Sequence, residues 1–295
     1  MKHLFIINPA AGSRNRTEES SRIIHRICRA RKLTYEVRVS TAPGEATRIA
    51  REAAAKGEEI RLYACGGDGT LNETINGVMD MPRRVPIGYI PTGTTNDLAT
   101  SLGLPSDINK ATDIIMQGHI NDYDVGLFNN RCFTYVASFG AFTRASYSAT
   151  QAAKNALGHL AYIFEGLNSL DTLRPYRCRI EADGEVFEGE FIFGGICNST
   201  SLGGLVKLDP KLVKMDDGKF ELLLLRMPKT PAGLTNLIAS LTKMEYNEPN
   251  VIFRHVEHVV VTTEDDLPWS LDGEHAASEP RVEIDCIHHA FQIAY

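Results

Sequence analysis

Apolar residues follow two different rhythms along this chain. In the first part, short apolar runs at 3–8, 33–40, 58–65, 86–90 and 122–127 read as strands. Between them, 17–30, 44–56, 70–78 and 107–116 carry apolar residues at helical spacing, as Ile23, Ile24 and Ile27 do. Strands separated by helices of this length specify a parallel sheet covered on both faces. From about residue 129 the period becomes two: 131–138, 176–182, 186–197, 219–225, 251–263 and 281–293 read as strands. Asp183-Gly184 is a hairpin turn between two of them, and 152–170 and 230–243 read as helices. The expected organisation is an α/β domain at 1–128 and a mainly antiparallel, β-rich domain at 129–295. The last strand is compatible with packing on either domain.

In a parallel sheet the turns that follow the strands share one edge, where ligands bind. Four such turns are polar or glycine-rich: Asn8-Pro9-Ala10-Ala11-Gly12, Thr41-Ala42-Pro43-Gly44, Gly66-Gly67-Asp68-Gly69-Thr70 and Thr92-Gly93-Thr94-Thr95-Asn96-Asp97. Backbone N–H groups in a glycine turn, with the first turn of the helix behind it, make an anion site. Asp68 is the odd member, because a fixed carboxylate beside phosphate implies a metal ion or a proton to manage. This marks the first domain as nucleotide-binding, with its cleft expected between the two halves. Asp97 is compatible with capping the next helix or tying a neighbouring loop. Asn8 suits a loop tie or a ligand contact, and Arg14 and Arg16 suit solvent or phosphate.

Composition narrows the class. A net charge of -6 disfavours general nucleic-acid binding, which draws on dense Lys/Arg patches. No run of 18 apolar residues suggests a membrane-spanning helix, and the apolar start 4–7 reads as a strand rather than a signal peptide. The six cysteines form no CxxC pair, so reduced thiols in a cytoplasmic protein are expected. The adjacent His288 and His289 carry no recognisable ligand spacing.

Two acidic turns in the second half bear on chemistry. Asp216-Asp217-Gly218 is compatible with an Asx-type hairpin turn. It equally suits a hard cation held by Asp217, backbone carbonyls and waters. Asp272-Gly273-Glu274 is compatible with a plain hairpin carrying an exposed glutamate. Transfer from a nucleotide to an alcohol needs a base, however, and Glu274 is suitable if the fold serves it to the reaction. Asn198 and Gly203-Gly204 leave strand 186–197 by a loop able to border an acceptor slot.

Taken together, NPAAG at 8–12, GGDGTLNE at 66–73, PTGTTNDLA at 91–99, YDVG at 123–126, LDP and MDDG within 208–218, and LDGE at 271–274 resemble the diacylglycerol kinase catalytic-domain superfamily. The likeness is strongest to its soluble bacterial lipid kinases, the diacylglycerol kinase B and YegS-like proteins. GGDGT alone is shared with NAD kinases and 6-phosphofructokinases; the late DDG and LDGE favour lipid kinases. The resemblance implies that Gly66, Gly67, Asp68, Gly69 and Thr70 cradle the phosphates of ATP, with Asn8, Thr41 and Thr94 at the same site. It implies that Asp68 works with catalytic Mg²⁺ and that Glu274 takes the acceptor proton. A structural Mg²⁺ would be held by Asp217 and the backbone carbonyls of Lys214 and Lys219. The segment 154–162 resembles the family's second-domain helix, whose apolar residues suit core or lipid. By the same resemblance, Leu98 stands where many relatives carry Phe, and Leu208 precedes Asp209-Pro210 where many carry Ala-Pro.

The expectation is therefore an ATP-dependent lipid kinase acting on a membrane lipid hydroxyl, with diacylglycerol as the leading acceptor. Transient association with the inner membrane surface follows, and a homodimer is compatible with the resemblance. The rivals are a kinase for another lipid or small-molecule alcohol, and a non-catalytic, nucleotide-responsive lipid-binding protein.

Overall fold

The computed structural model describes residues 1–12, 14–105, 107–140, 173–202 and 206–295, without the side chains of 14–17. The expected helix at 152–170 with its segment 154–162, Gly203-Gly204, and the side chains of Arg14 and Arg16 lie outside the described residues. The chain forms two units: 1–123 with 289–295, and 124–288.

The first unit is built from β1 (Lys2–Ile7), α1 (Arg14–Ala30), β2 (Tyr35–Val39), α2 (Glu45–Ala54), β3 (Ile60–Gly66), α3 (Asp68–Val78), β4 (Ile87–Pro91), α4 (Asp97–Ser101) and α5 (Ile108–Gln117). Its first four strands are parallel, in the order β2-β1-β3-β4. Order reverses between β1 and β3, so the turns leaving these two strands part in opposite directions and open a crevice. The core that fixes this edge includes Phe5 stacked on Tyr63 with centroids 4.3 Å apart, and Ile23, Ile24 and Ile27 of α1. Asp107 caps α5 by accepting the Lys110 N–H at 2.9 Å. The helix after the 91–97 turn is α4, which starts at Asp97 itself, and α3 begins at Asp68 rather than at residue 70.

The second unit takes in most of β5 (Ile120–Phe128), then β6 (Arg131–Phe133), β7 (Val136–Gly140), β8 (Tyr176–Ala182), β9 (Glu185–Cys197), β10 (Ser201–Leu202), β11 (Val206–Lys207), β12 (Phe220–Arg226), α6 (Pro231–Lys243), β13 (Val251–Val256), β14 (His258–Thr263), β15 (Trp269–Leu271), β16 (Glu274–Ala276) and most of β17 (Arg281–Ala294). Its ladders are antiparallel. Along β8 the period-two pattern is literal: Tyr176, Cys178, Ile180 and Ala182 are buried while Arg177 and Arg179 face water. Trp269 anchors the core, edge-on to Phe128 and Phe139 at 5.0 Å each. β17 begins against β14; its last residues, Ile293 and Ala294, belong to the first unit and pair in parallel there with Ile87 and Gly88.

Two runs expected as single strands are each broken by an aspartate. The run 131–138 splits because Asp272 accepts the N–H groups of Thr134, Tyr135 and Val136 at 2.6, 2.9 and 3.0 Å. The run 251–263 splits at Glu257, where Asp183 accepts the N–H groups of Glu257 and His258, both at 2.9 Å. A carboxylate that gathers successive N–H groups turns them out of a ladder, since alternate ones must otherwise face opposite neighbours.

Candidate active site

The crevice edge of the first unit is a set of loops locked by backbone contact. The Asn8 N–H donates to the Cys65 carbonyl at 3.0 Å, and its side-chain Nδ2 donates to Thr70 Oγ1 at 3.1 Å. Asn8 is thus a loop tie. The N–H groups of Thr92 and Gly93 donate to the Gly66 carbonyl at 2.8 and 3.1 Å. Gly12 has φ +71°, and a Cβ there would stand 2.1 Å from the Thr92 carbonyl oxygen, so only glycine lets these two loops meet. The loop at Thr41 is drawn in by carboxylates: Glu45 accepts from its N–H and Oγ1 at 2.7 and 3.0 Å. Glu73 in turn accepts the N–H groups of Gly44 and Ala46 at 2.9 and 3.1 Å, serving the start of α2. Thr94 is exposed in its loop.

Asp68 sits at the head of α3, behind Gly67, where the helix dipole favours a negative group. Its carboxylate accepts the N–H groups of Asp97 and Leu98 at 3.0 and 3.3 Å and the Tyr89 hydroxyl at 3.2 Å. It therefore caps α4 from a distant part of the sequence. The residue before α4, Asn96, cannot do so: it is left-handed at φ 52°, and its side chain bonds the Gly93 carbonyl and the Tyr89 hydroxyl. Asp97, expected as a cap or a loop tie, acts as the tie through its N–H to Asp68. Burial pushes the Asp68 carboxyl up from its usual range, and the two N–H groups and the tyrosine oppose that only in part. The Tyr89 hydroxyl is pushed well up by burial and by the Asp68 charge.

In the second unit, Asp272 and Gly273 have φ of 50° and 86° and join β15 to β16 as a two-residue hairpin. Glu274 follows, 73% exposed, with an ion pair to Arg131 at 3.8 Å. Below, the turn 214–219 rests on Asp124, whose Oδ2 accepts the Gly218 N–H at 2.7 Å and whose own N–H donates to the Met215 carbonyl at 2.9 Å. Asn198 Nδ2 donates to the carbonyls of Asp124 and Met215 at 3.0 and 3.2 Å. Asp217 Oδ1 accepts the Lys219 N–H at 3.1 Å, which is the Asx turn.

Residues 2–128 match the model of the diacylglycerol kinase catalytic domain, and 136–295 that of the YegS C-terminal NAD kinase beta sandwich-like domain. A diacylglycerol kinase of Bacillus subtilis (strain 168) is 32% identical over 285 residues, 96% of this chain and 93% of its own. The chain belongs to the diacylglycerol kinase family. A Staphylococcus aureus (strain bovine RF122 / ET3-1) diacylglycerol kinase is 33% identical, covering 93% of this chain and 86% of its own. A crystal structure of a diacylglycerol kinase from Bacillus anthracis str. Sterne superposes with a TM-score of 0.74 at 23% identity, covering 100% of this chain and 96% of the other, and shows the shared fold.

As a lipid kinase of this family, the chain uses ATP, and two of its acidic positions have the donor chemistry a divalent cation takes. Asp68 fits: its partners are neutral donors, so its charge is not cancelled by a neighbouring Lys or Arg in those bonds. The turn at 214–219 also fits. A carboxylate has about four acceptor positions, so the Asx bond of Asp217 leaves room for an ion. Beside it, Glu221 Oε2 is buried with no hydrogen-bond partner, an excess acceptor in need of positive charge.

Sequence reasoning missed Tyr89, Glu73 and Glu221 as site residues. Tyr89 and Glu221 each carried a signal: a hydroxyl inside the apolar run 86–90, and one carboxylate inside the run 220–225. Glu73 lay within the quoted GGDGTLNE motif, but its partners are two residues of another loop.

Proposed function

We propose that this diacylglycerol kinase family member transfers the γ-phosphoryl group of ATP to the hydroxyl of diacylglycerol, giving phosphatidic acid and ADP. Asp68 carries the reading: a carboxylate at a helix N-terminus, inside a glycine turn, tied only by neutral donors to a second polar loop. The backbone of 66–70 would receive the phosphates, with Asn8, Thr41 and Thr94 bordering them. Mg²⁺, when bound with ATP, supplies positive charge against the phosphates and the Asp68 carboxylate. The acceptor oxygen bonds to the γ-phosphorus as the bond to ADP breaks, and Glu274 takes the hydroxyl proton. The exposure of Glu274 leaves its carboxylate accessible to an incoming alcohol. A second divalent ion at Lys214, Asp217 and Lys219 would hold the turn over β12.

Because diacylglycerol lives in a bilayer, the enzyme works by transient association with the inner, ATP-facing membrane surface. Among the described residues no helix is long and apolar enough to cross a membrane. An acceptor panel tests the proposal: ATP, Mg²⁺ and micelles of diacylglycerol, a sphingoid base or phosphatidylglycerol, with products identified by mass. Phosphatidic acid should dominate. Turnover confined to another alcohol would reassign the acceptor, and nucleotide binding without lipid-dependent ATP consumption would leave a non-catalytic binder.

A further inference from the structure

Glu221 is the least expected side chain in the second unit. It lies in β12 at the register positions of Cys197 on β9 and His255 on β13, so the three side chains share one face of the ladder. The segment before β12 covers that face. His255 Nε2 donates to the Leu212 carbonyl at 2.7 Å, and the Asp209 N–H donates to the Tyr246 hydroxyl at 3.1 Å. Beneath this cover Glu221 is 1% exposed.

Its carboxyl group lies near the acidic turn: besides burial and its own N–H, the groups that act on it are the Asp217 carboxylate and the Lys214 N–H, both in 214–219. His255 makes no hydrogen bond to it: its Nε2–H is committed to Leu212, and the 3.9 Å approach to Oε1 is beyond hydrogen-bond range. Oε2 has no hydrogen-bond partner. Burying an ionised carboxylate is costly unless it is paired or bound to a metal. A second carboxylate, Asp217, acts on it from the turn, and like charges near one another raise that cost further.

We propose that Glu221 is a buried part of the cation site at 214–219, so that a divalent ion there is held by two side-chain carboxylates, Asp217 and Glu221, with backbone carbonyls. The inference rests on the reading of Lys214, Asp217 and Lys219 as a cation turn and extends it to a residue inside the sheet. Two hard carboxylates favour a divalent over a monovalent ion. The turn and the sheet are then joined through the ion, which makes cation binding a folding contact of the second unit.

The experiment is thermal unfolding of the full chain, stripped of metal, against rising MgCl₂, with MnCl₂ and CaCl₂ in parallel and KCl as the monovalent control. Wild type should gain Tm with divalent ions. Glu221→Gln should need at least tenfold more cation for the same gain. Without cation, however, it should melt at or above wild type, because a buried carboxyl group with an unpartnered oxygen has been removed. A merely structural Glu221 would lower Tm equally in both conditions. Should the amide not fold, Glu221→Met applies the same test with an apolar residue of similar length. If either variant keeps the wild-type cation midpoint while Asp217→Asn loses it, the Glu221 proposal fails and the cation turn stands. If wild type shows no divalent response, both fall.

Discussion

Two aspartates do similar architectural work in the two units. Asp68 gathers the N–H groups of Asp97 and Leu98 and the Tyr89 hydroxyl; Asp272 gathers the N–H groups of Thr134, Tyr135 and Val136. Each reaches across the sequence and replaces a local cap or ladder bond. The difference lies in what stands beside them. At the GGDGT edge, the residue that ties the loops is also the one proposed to face the phosphates. At the hairpin, Asp272 holds the turn, and a separate residue, Glu274, is left 73% exposed with an ion pair at 3.8 Å. The donor end is thus rigid and preassembled, as electrostatic stabilisation of phosphoryl transfer requires. The proposed base is instead exposed, with its ion pair to Arg131.

That contrast can be broken by mutation. The largest effect is expected at Asp68. Asp68→Asn should lower kcat by about 10³-fold while retaining a native circular dichroism spectrum, since its role combines chemistry and loop geometry. A lowered Tm with wild-type kcat in the folded variant would make it an architectural residue like Asp272.

At Asp272 the order should invert, with stability suffering first. Asn tolerates its positive φ but gives up charge-assisted bonds, so Asp272→Asn should cost about 2–3 kcal/mol in urea unfolding. A change under about 0.5 kcal/mol would mean the hairpin is held by packing around Trp269 instead. Tyr89→Phe sharpens the donor side: losing one hydroxyl to Asp68 and Asn96 should reduce kcat about tenfold, with KM for ATP nearly unchanged. In an Asp68→Asn background the same change should add little, because coupled residues are not additive. Independent effects would remove Tyr89 from the Asp68 network.

The smallest effect lies in β1, away from either aspartate. His3 is buried with Nδ1 2.8 Å from the Tyr63 hydroxyl, and burial, helped by Arg61, lowers its pKa below the usual value. The unfolded chain therefore protonates first as pH falls, and stability is lost below about pH 6.5 toward the lower folded value. His3→Gln should flatten unfolding free energy between pH 7 and pH 5 by less than about 1 kcal/mol. An unchanged slope would assign the acid dependence to other groups.

How much of this was legible in the sequence follows from the range of the interactions. The alternation of strand and helix at 3–127 and the period-two strands after it are local patterns, and both architectures are present. The hairpin at Asp272-Gly273 was readable from two residues with a left-handed preference. The breaks at 134–135 and 257 were not, because the aspartates responsible lie 136–138 and 74–75 residues away. Asp68 was visible as a carboxylate among glycines, but its capping of α4 depends on Asn96 having spent its own side chain. Glu221 appeared as one charge in an apolar strand; its meaning comes from the turn folded over it.

In the proposed mechanism Asp272 holds the hairpin and the exposed Glu274 serves the acceptor. The most direct test is the steady-state rate of phosphatidic acid formation by Glu274→Gln on diacylglycerol micelles with saturating ATP and Mg²⁺. A general base contributes about 10²–10⁴-fold, so kcat should fall by at least about 10²-fold, with Tm and nucleotide affinity close to wild type. Wild-type turnover in that folded variant would contradict the assignment and return Glu274 to the role of an exposed hairpin residue.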